Sequence, residues 1–249
     1  MNIHKLKLFF YTIWYLKPIQ VYYRLYYIIK SVLRLKKAST KIKLNYDYLT
    51  WNSVYKYENS YATKDNSFIF LNAAHSFLAK IDWNYNELGK LWTYNLNYFD
   101  FLNQENISKE TGIILIKDYI NNDDFLIDGK EPYPISLRGI NWVKFLSKNK
   151  IKEELIDKHL YNHYRILLKN LEYHILGNHL LENAFSLLFG AFYFQDEKLY
   201  KKSKKILSTE LNEQILEDGG HFELSPMYHQ IILFRILDCI HLIKSNSWK

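Results

Sequence analysis

The sequence predicts an all-α fold, in which long antiparallel helices follow a basic N-terminal helical arm. Gly and Pro are scarce, at 8 and 4 of 249 residues, whereas a protein of many short strands needs more turn residues. Apolar residues recur at helical spacing along most of the chain. Hydrophobic residues make up 48% and charged residues 24%, which is typical of a globular chain with a substantial core. These observations leave bundle, solenoid and toroid open.

The N-terminus differs in charge from the rest of the chain, and we predict an arm at residues 1–40 followed by one helical domain at 41–249. The formal net charge is +7, and residues 5–43 contain basic residues but no acidic ones. Residues 19–35 are typical of a basic, Tyr-rich amphipathic helix. Such a helix attaches to an anionic membrane surface or a partner, or it packs on its own domain.

The arm is not expected to cross a membrane. Its apolar run at residues 8–16 is shorter than the roughly 20 residues that span a bilayer, and no small-residue cleavage site follows it. We therefore expect a location in the cytoplasm or at a membrane surface rather than secretion. The single cysteine, Cys239, excludes an intrachain disulfide and a Cys-based metal site.

After the arm, helix signals alternate with polar segments. Ser108 is a predicted helix cap, and Ser225 with Pro226 opens the last helix as cap and first helical residue. Residues 68–79 are predicted to start with a short strand. The predicted helices span residues 107–121, 136–147, 151–176, 180–194, 198–216 and 225–243, and the predicted loops span residues 36–63 and 123–134.

Aromatic residues make up 17% of the chain, with 22 Tyr and 6 Trp. Tyr and Trp suit sugar binding, because the ring stacks on C–H groups while the polar tip forms hydrogen bonds. A general compositional bias explains the same count, since Tyr, Asn, Lys and Ile are all abundant. Composition alone also leaves nucleic acid, membrane and acidic glycan open as partners of a basic protein.

The first motif is Gly-Asn-His-Leu-Leu-Glu-Asn at residues 177–183. On a helix, His179 shares a face with Glu182 and Asn183, and Asn178 shares one with Glu182. The helix that follows is apolar almost all round, which predicts that it is buried. The polar patch at its start is therefore either a cap with a buried hydrogen-bond network or part of a cleft.

The second motif covers residues 218–229 and begins with Asp-Gly-Gly, a turn. His221 and Glu223 alternate with apolar residues, which predicts that both face one side. Tyr228 and His229 fall in the first turn of the last helix, where the positive end of the helix dipole favours a tyrosinate. Arg235, two turns later on the same face, would reinforce that effect.

The two motifs in this order resemble the heparinase II/III-like polysaccharide lyases, and the resemblance covers nearly the whole chain. Residues 17–24, 91–100 and 133–142 are similar to this family as well. The resemblance implies an incomplete (α/α) toroid of long antiparallel helices. It also implies β-elimination on glycans that contain uronic acid, with an acidic polysaccharide as the partner.

Elimination needs a group that neutralises the uronate carboxylate, a base for the C5 proton and an acid for the leaving oxygen. By resemblance, Asn178, His179 and Glu182 match the carboxylate-neutralising motif, and the choice among them stays open. Tyr228 matches the general acid and base. The implied substrate-binding residues are Trp92, Tyr94, Asn97, Arg138, Asn141, Trp142, Asn183, His221, Glu223 and His229.

Members of this family continue into a C-terminal β-sheet domain that supplies a further His and often a metal. The expectation is therefore a lyase-like chain that is catalytically incomplete and inactive without that domain. It would be a truncated product, one part of a split protein with a separate β-sheet chain, or a degenerate binding domain, with no cofactor or metal in this chain. A non-catalytic glycan-binding or cell-surface polysaccharide assembly protein is the first alternative. A basic protein that binds polyanions or membrane surfaces is the second. Nucleic acid is not expected, because the basic residues lie in the N-terminal arm rather than beside the aromatic residues at 92–99.

Overall fold

The structure, a computed structural model, describes residues 3–32, 48–52 and 55–248. The prediction of an all-α fold is confirmed, and the packed helices fit a toroid-like array. Half of the predicted loop at 36–63 lies outside the described residues. The helices are α1 (Ile3–Tyr15), α2 (Pro18–Val32), α3 (Lys90–Tyr98), α4 (Lys109–Asn121), α5 (Pro132–Lys148), α6 (Glu154–Lys169), α7 (Gly177–Phe194), α8 (Glu197–Gln214) and α9 (Pro226–Ser245).

A small antiparallel sheet precedes the main helices, in the order β1 (Tyr61–Ala62), β2 (Ser67–Phe70) and β3 (Ala73–Ser76). In its register, Phe68 is paired with Tyr61 on one side and with His75 on the other. The Phe68 side chain is completely buried. The short strand predicted in residues 68–79 is therefore confirmed, and its hydrophobic face joins the main core.

The centre of the domain is formed by α5 and α7, which pack on each other and carry the longest buried runs. All of α7 from Leu180 to Phe194 is buried, as its apolar sequence predicted. The amphipathic α8 packs along α7 and keeps its Lys-rich face in solvent. The start of α7 is the exception, because residues 177–179 are partly exposed. Polar groups at this end of the helix therefore reach the surface.

Helix boundaries agree with the sequence where a cap or a proline marks them. The Ser108 side chain caps α4 by accepting a hydrogen bond from the Thr111 amide at 3.0 Å. Pro226 is the first residue of α9, although the Ser225 side chain makes no capping hydrogen bond. The helix predicted at 151–176 is shorter, because α6 ends at Lys169 and a turn replaces its last residues.

The described part of the arm contains α1 and α2, and among the described residues no helix is both long and apolar enough to cross a bilayer. Helix α2 packs on the connector between α6 and α7. Its Tyr23 ring stacks on Tyr173 with centroids 4.6 Å apart, and Tyr27 donates a hydrogen bond to the Leu171 carbonyl at 2.6 Å. Two alternatives were open for the arm, and α2 follows the one in which it packs on its own domain.

Candidate functional site

A buried ion pair joins the first sequence motif to the helix that follows the second. Arg235 of α9 donates from Nε to Glu182 Oε1 of α7 at 2.6 Å, with 7% and 1% of these residues exposed. Burial raises the pKa of Glu182, and the charge of Arg235 opposes that rise. The motif at the start of α7 is thus tied to the helix that carries Tyr228. Neither motif contains this connection in its own sequence.

The ion pair continues into α5. Arg235 Nη1 lies 3.5 Å from Asp238 Oδ2, and Asp238 pairs with the Lys144 ammonium, whose side chain is completely buried. Lys144 also donates a hydrogen bond to the Tyr57 hydroxyl at 2.9 Å. Burial lowers the pKa of Lys144 to about 8, against the raising effect of Asp238. Charges on three helices therefore neutralise one another beneath the site.

Asp100 adds a further carboxylate to this group. It is partly exposed at the end of α3, and Asn141 Nδ2 donates to its Oδ1 at 2.6 Å. Asn141 also donates to the Tyr98 carbonyl at 2.9 Å. The negative charge of Asp100 contributes to the raised pKa values of Glu182 and Tyr133. Asp100 therefore lies near the ion pair, and Asn141 holds it there.

His179 is oriented by a second carboxylate. Its Nδ1 lies 3.0 Å from Glu172 Oε1, and its side chain is 36% exposed. Asn183 holds Glu172 from the other side, donating to Oε2 at 2.8 Å and accepting from the Glu172 amide at 2.9 Å. Glu172 accepts from Nδ1–H and so orients the ring, and a proton on Nε2 makes that second nitrogen a donor to an anionic group. His179 is therefore a positioned, accessible imidazole, while the buried Asn183 is part of its support.

A row of rings leads from α3 to His179. The centroids of Tyr94, Tyr98, Tyr133 and His179 follow one another at 6.3, 6.0 and 4.6 Å. Tyr94 donates a short hydrogen bond to Glu131. Burial raises the pKa of Tyr98 and Tyr133 well above 10, so both phenols stay protonated at neutral pH. These hydroxyls are therefore hydrogen-bond donors rather than bases.

The second motif folds against the first. Gly219, with φ +84°, allows the tight turn, and His221 then bridges to Ile215. The His221 ring is buried and contacts the Gln214 side chain at 3.2 Å, whereas Glu223 is exposed. The expectation that His221 and Glu223 face one side is therefore wrong, because the chain turns between them. Burial lowers the pKa of His221.

Two contacts place this loop beside the start of α7 and near Tyr228. A Cβ built on Gly177 would lie 3.9 Å from Glu223 Oε1. The ring of His221 lies 6.3 Å from that of Tyr228, and Tyr228 and His229 are both partly exposed in the first turn of α9. The proposed acid and base thus has solvent access, as does Asn178 at the start of α7.

Seven residues predicted to contact a glycan belong to the interior instead. Trp92, Asn97, Arg138, Asn141, Trp142 and Asn183 are each at most 1% exposed, and His221 is 2% exposed. Arg138 donates to the carbonyls of Asn97 at 3.1 Å and Gly129 at 2.9 Å, and Trp92 donates to the Ala73 carbonyl at 3.0 Å. Side chains without exposed surface cannot touch a sugar, so their role is corrected to holding the walls of the domain. Tyr94, which was also predicted to contact a glycan, is partly exposed.

Sequence reasoning missed Glu172, Asp100 and Tyr133. Asp100 and Tyr133 lie inside segments that resemble the family, yet their roles depend on neighbours from other helices. Glu172 lies in a turn with no motif of its own. Metal-donor atoms come together at another place, where Asp123 meets His159 and His163. No spacing in the sequence marked that group.

Comparisons with known proteins found two matches. The family model described as heparinase II/III N-terminus matches residues 135–249, which contain both motifs. A heparin-sulfate lyase of Bacteroides stercoris is 36% identical over 90 residues, an alignment that covers 34% of this chain and 14% of that protein. No solved structure matches the chain at a significant level. These two matches show that residues 135–249, which carry both motifs, are similar to the heparinase II/III N-terminus.

Proposed function

We propose that the domain binds acidic glycans containing uronic acid at the face formed by the starts of α7 and α9, and that it takes part in their β-elimination. The observation that carries the proposal is the Glu182–Arg235 ion pair, because it fixes the first motif against α9, the helix that carries Tyr228. The matched relative is a heparin-sulfate lyase. The chain spans only 14% of that protein's length, so activity and substrate class are part of the proposal.

Among the three residues of the carboxylate-neutralising motif, exposure favours Asn178 and His179 as the substrate contacts. Both are partly exposed, and Glu172 orients the His179 ring. Glu182 is buried and already accepts from Arg235. We therefore assign Glu182 as a positioning residue that holds α9 in place. An amide and an imidazole that hydrogen-bond to the uronate carboxylate make the C5 proton easier to remove.

Tyr228 is the proposed proton-transfer group. It lies in the first turn of α9 and is partly exposed, so a substrate can reach its hydroxyl. In the reaction, the C5–H and C4–O bonds break and a C4=C5 double bond forms. The C5 proton moves to the phenolate, and a phenol returns a proton to the leaving oxygen. No oxidant, reductant or co-reactant is needed.

Binding to immobilised heparan sulfate tests the first half of the proposal. We expect His179→Ala to weaken binding about 10-fold or more, because a hydrogen bond to a charged group contributes about 1.5–3 kcal/mol. His75→Ala, a partly exposed histidine in β3, is the matched control. Carboxyl-reduced heparan sulfate keeps its sulfates but loses the uronate charge, so the wild type should bind it more weakly. Equal affinity for both glycans, unaffected by His179→Ala, would contradict uronate recognition.

The ultraviolet absorbance of the unsaturated product tests the second half. Product formation that depends on Tyr228 supports elimination. Uronate-dependent binding without product would instead establish the alternative of a non-catalytic glycan-binding protein. Binding that salt abolishes equally for any polyanion would favour the general polyanion-binding alternative.

We also propose that α1 attaches the domain to an anionic membrane surface. Four aromatic side chains of α1 are largely exposed: Phe10 (63%), Tyr11 (66%), Trp14 (85%) and Tyr15 (84%). The same helix carries Lys5 and Lys7 and no acidic residue. Aromatic rings beside lysines are typical of helices that lie in the headgroup region.

Sedimentation with lipid vesicles tests this attachment. We expect binding to vesicles containing phosphatidylserine, weaker binding to pure phosphatidylcholine, and partial release by salt. Trp14→Ser with Phe10→Ser should abolish binding, whereas Leu78→Ser, which changes an exposed apolar residue outside the arm, should not. Equal binding of the α1 variant and the wild type would contradict the proposal, as would self-association through α1 without lipid binding.

A further inference from the structure

Three metal-donor side chains meet where the connector before α5 crosses α6. His159 and His163 are one helical turn apart on α6, and their ring centroids lie 4.2 Å from each other. Asp123 begins a short 3-10 turn, Asp123–Phe125. Its Oδ1 lies 3.6 Å from the Nε2 atom of each histidine. One donor atom from each of the three residues falls within 4.8 Å of the others.

These distances do not suit hydrogen bonds. At 3.6 Å, the Asp123–His159 contact is too long for one, and Asp123 Oδ1 and His159 Nε2 are both buried without a hydrogen-bond partner. Buried polar atoms are rarely left in this state. Ligands held about 2.0–2.1 Å from one tetrahedral ion lie about 3.3 Å apart, which is close to the observed spacing. The spacing thus accommodates a cation at their centre.

We propose that Asp123, His159 and His163 bind one Zn²⁺ ion, with water as the fourth ligand. Two imidazoles and one carboxylate suit Zn²⁺, whereas Ca²⁺ and Mg²⁺ prefer oxygen ligands throughout. The Asp123 side chain is 32% exposed, which gives the ion an entry path. This inference does not depend on the proposed glycan-binding function.

Two cations beside the cluster shape the site. Lys130 Nζ lies 3.5 Å from Asp123 Oδ2, and Arg138 Nη2 lies 3.4 Å from His163 Nδ1. The positive charges of Lys130 and Arg138 disfavour a metal ion that is held mainly by electrostatic attraction. The site therefore suits a metal ion that bonds well to imidazole nitrogen. When His163 Nε2 binds the metal, Nδ1 carries the proton. Arg138 then gives up the long contact with His163 and keeps its bonds to the Asn97 and Gly129 carbonyls.

The role of the ion is structural. It links the connector between α4 and α5 to α6, and that connector leads directly into the start of α5, where Tyr133 lies. Zn²⁺ that binds only the folded chain stabilises it by mass action. Metal should therefore raise the melting temperature without changing the fold.

The test uses the full chain without a histidine tag, freed of metal by a chelator and titrated with Zn²⁺ against a chromogenic competitor. We expect one equivalent to bind and the melting temperature to rise. Co²⁺ should give the intense visible absorption of a tetrahedral site. His163→Ala and Asp123→Asn should each weaken binding at least 10-fold, whereas His75→Ala should not.

Asp123→Asn keeps the shape of the side chain, so it is the variant least expected to unfold the chain. Circular dichroism checks that each variant is folded. Two results would overturn the site. One is a wild-type chain that takes up no Zn²⁺ in the titration. The other is uptake that His163→Ala and Asp123→Asn leave unchanged, because the metal would then bind elsewhere.

Discussion

Arg235 Nε donates to Glu182 Oε1 at 2.6 Å, and this buried pair connects two residues that lie 53 positions apart in the sequence. Both side chains are almost fully removed from water. In such surroundings each charge depends on the other, since an isolated buried ion is very costly. The pair therefore sets the position of α9, and with it Tyr228, relative to the start of α7.

Replacing Arg235 should be strongly destabilising. Arg235→Met leaves the Glu182 carboxylate buried without its partner, so we expect the free energy of unfolding to fall by about 3–5 kcal/mol in urea titrations. The double variant Arg235→Met with Glu182→Gln should recover part of the loss. Lys158→Met removes an exposed pair with Glu154 and should change stability by less than about 0.5 kcal/mol. Similar effects of Arg235→Met and Lys158→Met would argue against a structural role for the pair.

Tyr228→Phe should abolish elimination while leaving glycan binding nearly intact. The ring is kept and only the hydroxyl that transfers the proton is lost, so we expect the rate of unsaturated product formation to fall about 100-fold or more. Tyr161→Phe is the matched control, because its hydroxyl bonds Asp196 at the far end of α7. If the product formed by Tyr228→Phe accumulated at the wild-type rate, another group would have to transfer the proton.

Stability should fall in alkaline solution. Burial raises the pKa of Tyr98, Tyr119 and Tyr164 in the folded chain. In the unfolded chain these phenols ionise near pH 10, so above that pH the unfolded state binds fewer protons and is favoured. The contribution of these buried phenols to the free energy of unfolding is complete below about pH 10 and is lost as the pH rises further. Urea midpoints between pH 8 and 11 measure the effect; tyrosinate absorbance that rises before unfolding would contradict it.

Gly190→Ala should destabilise the domain although alanine favours helix. A Cβ at this position in α7 would lie 2.7 Å from the Tyr164 ring, which is itself fully buried. The clash should cost about 1–3 kcal/mol, more than the gain of roughly 1 kcal/mol in helix propensity. Thermal and urea unfolding measure the change. Combining Gly190→Ala with Tyr164→Leu should restore part of the stability, and a stabilised single variant would show that the ring moves aside easily.

Sequence alone determined most of the helices and the identity of the two motifs, although it did not predict α3 and it placed the start of α5 in a loop. Helical spacing, the Ser108 cap and Pro226 act within a few residues, so they predicted α4, α7, α8 and α9 closely. The two motifs were recognised from residue types at fixed spacing. These features are local, and tertiary contacts did not override them.

Tertiary structure decided which side chains reach the surface. Trp92 and Trp142 are as suitable for a sugar cleft as for a core, and only packing between helices placed them inside. The alternating pattern of polar and apolar residues also did not predict the turn that buries His221 and exposes Glu223. The Glu182–Arg235 pair, the Glu172–His179 pair and the Asp123 cluster join residues from different elements. Their geometry depends on how helices pack, because charges and ligands act through distance in space rather than along the chain.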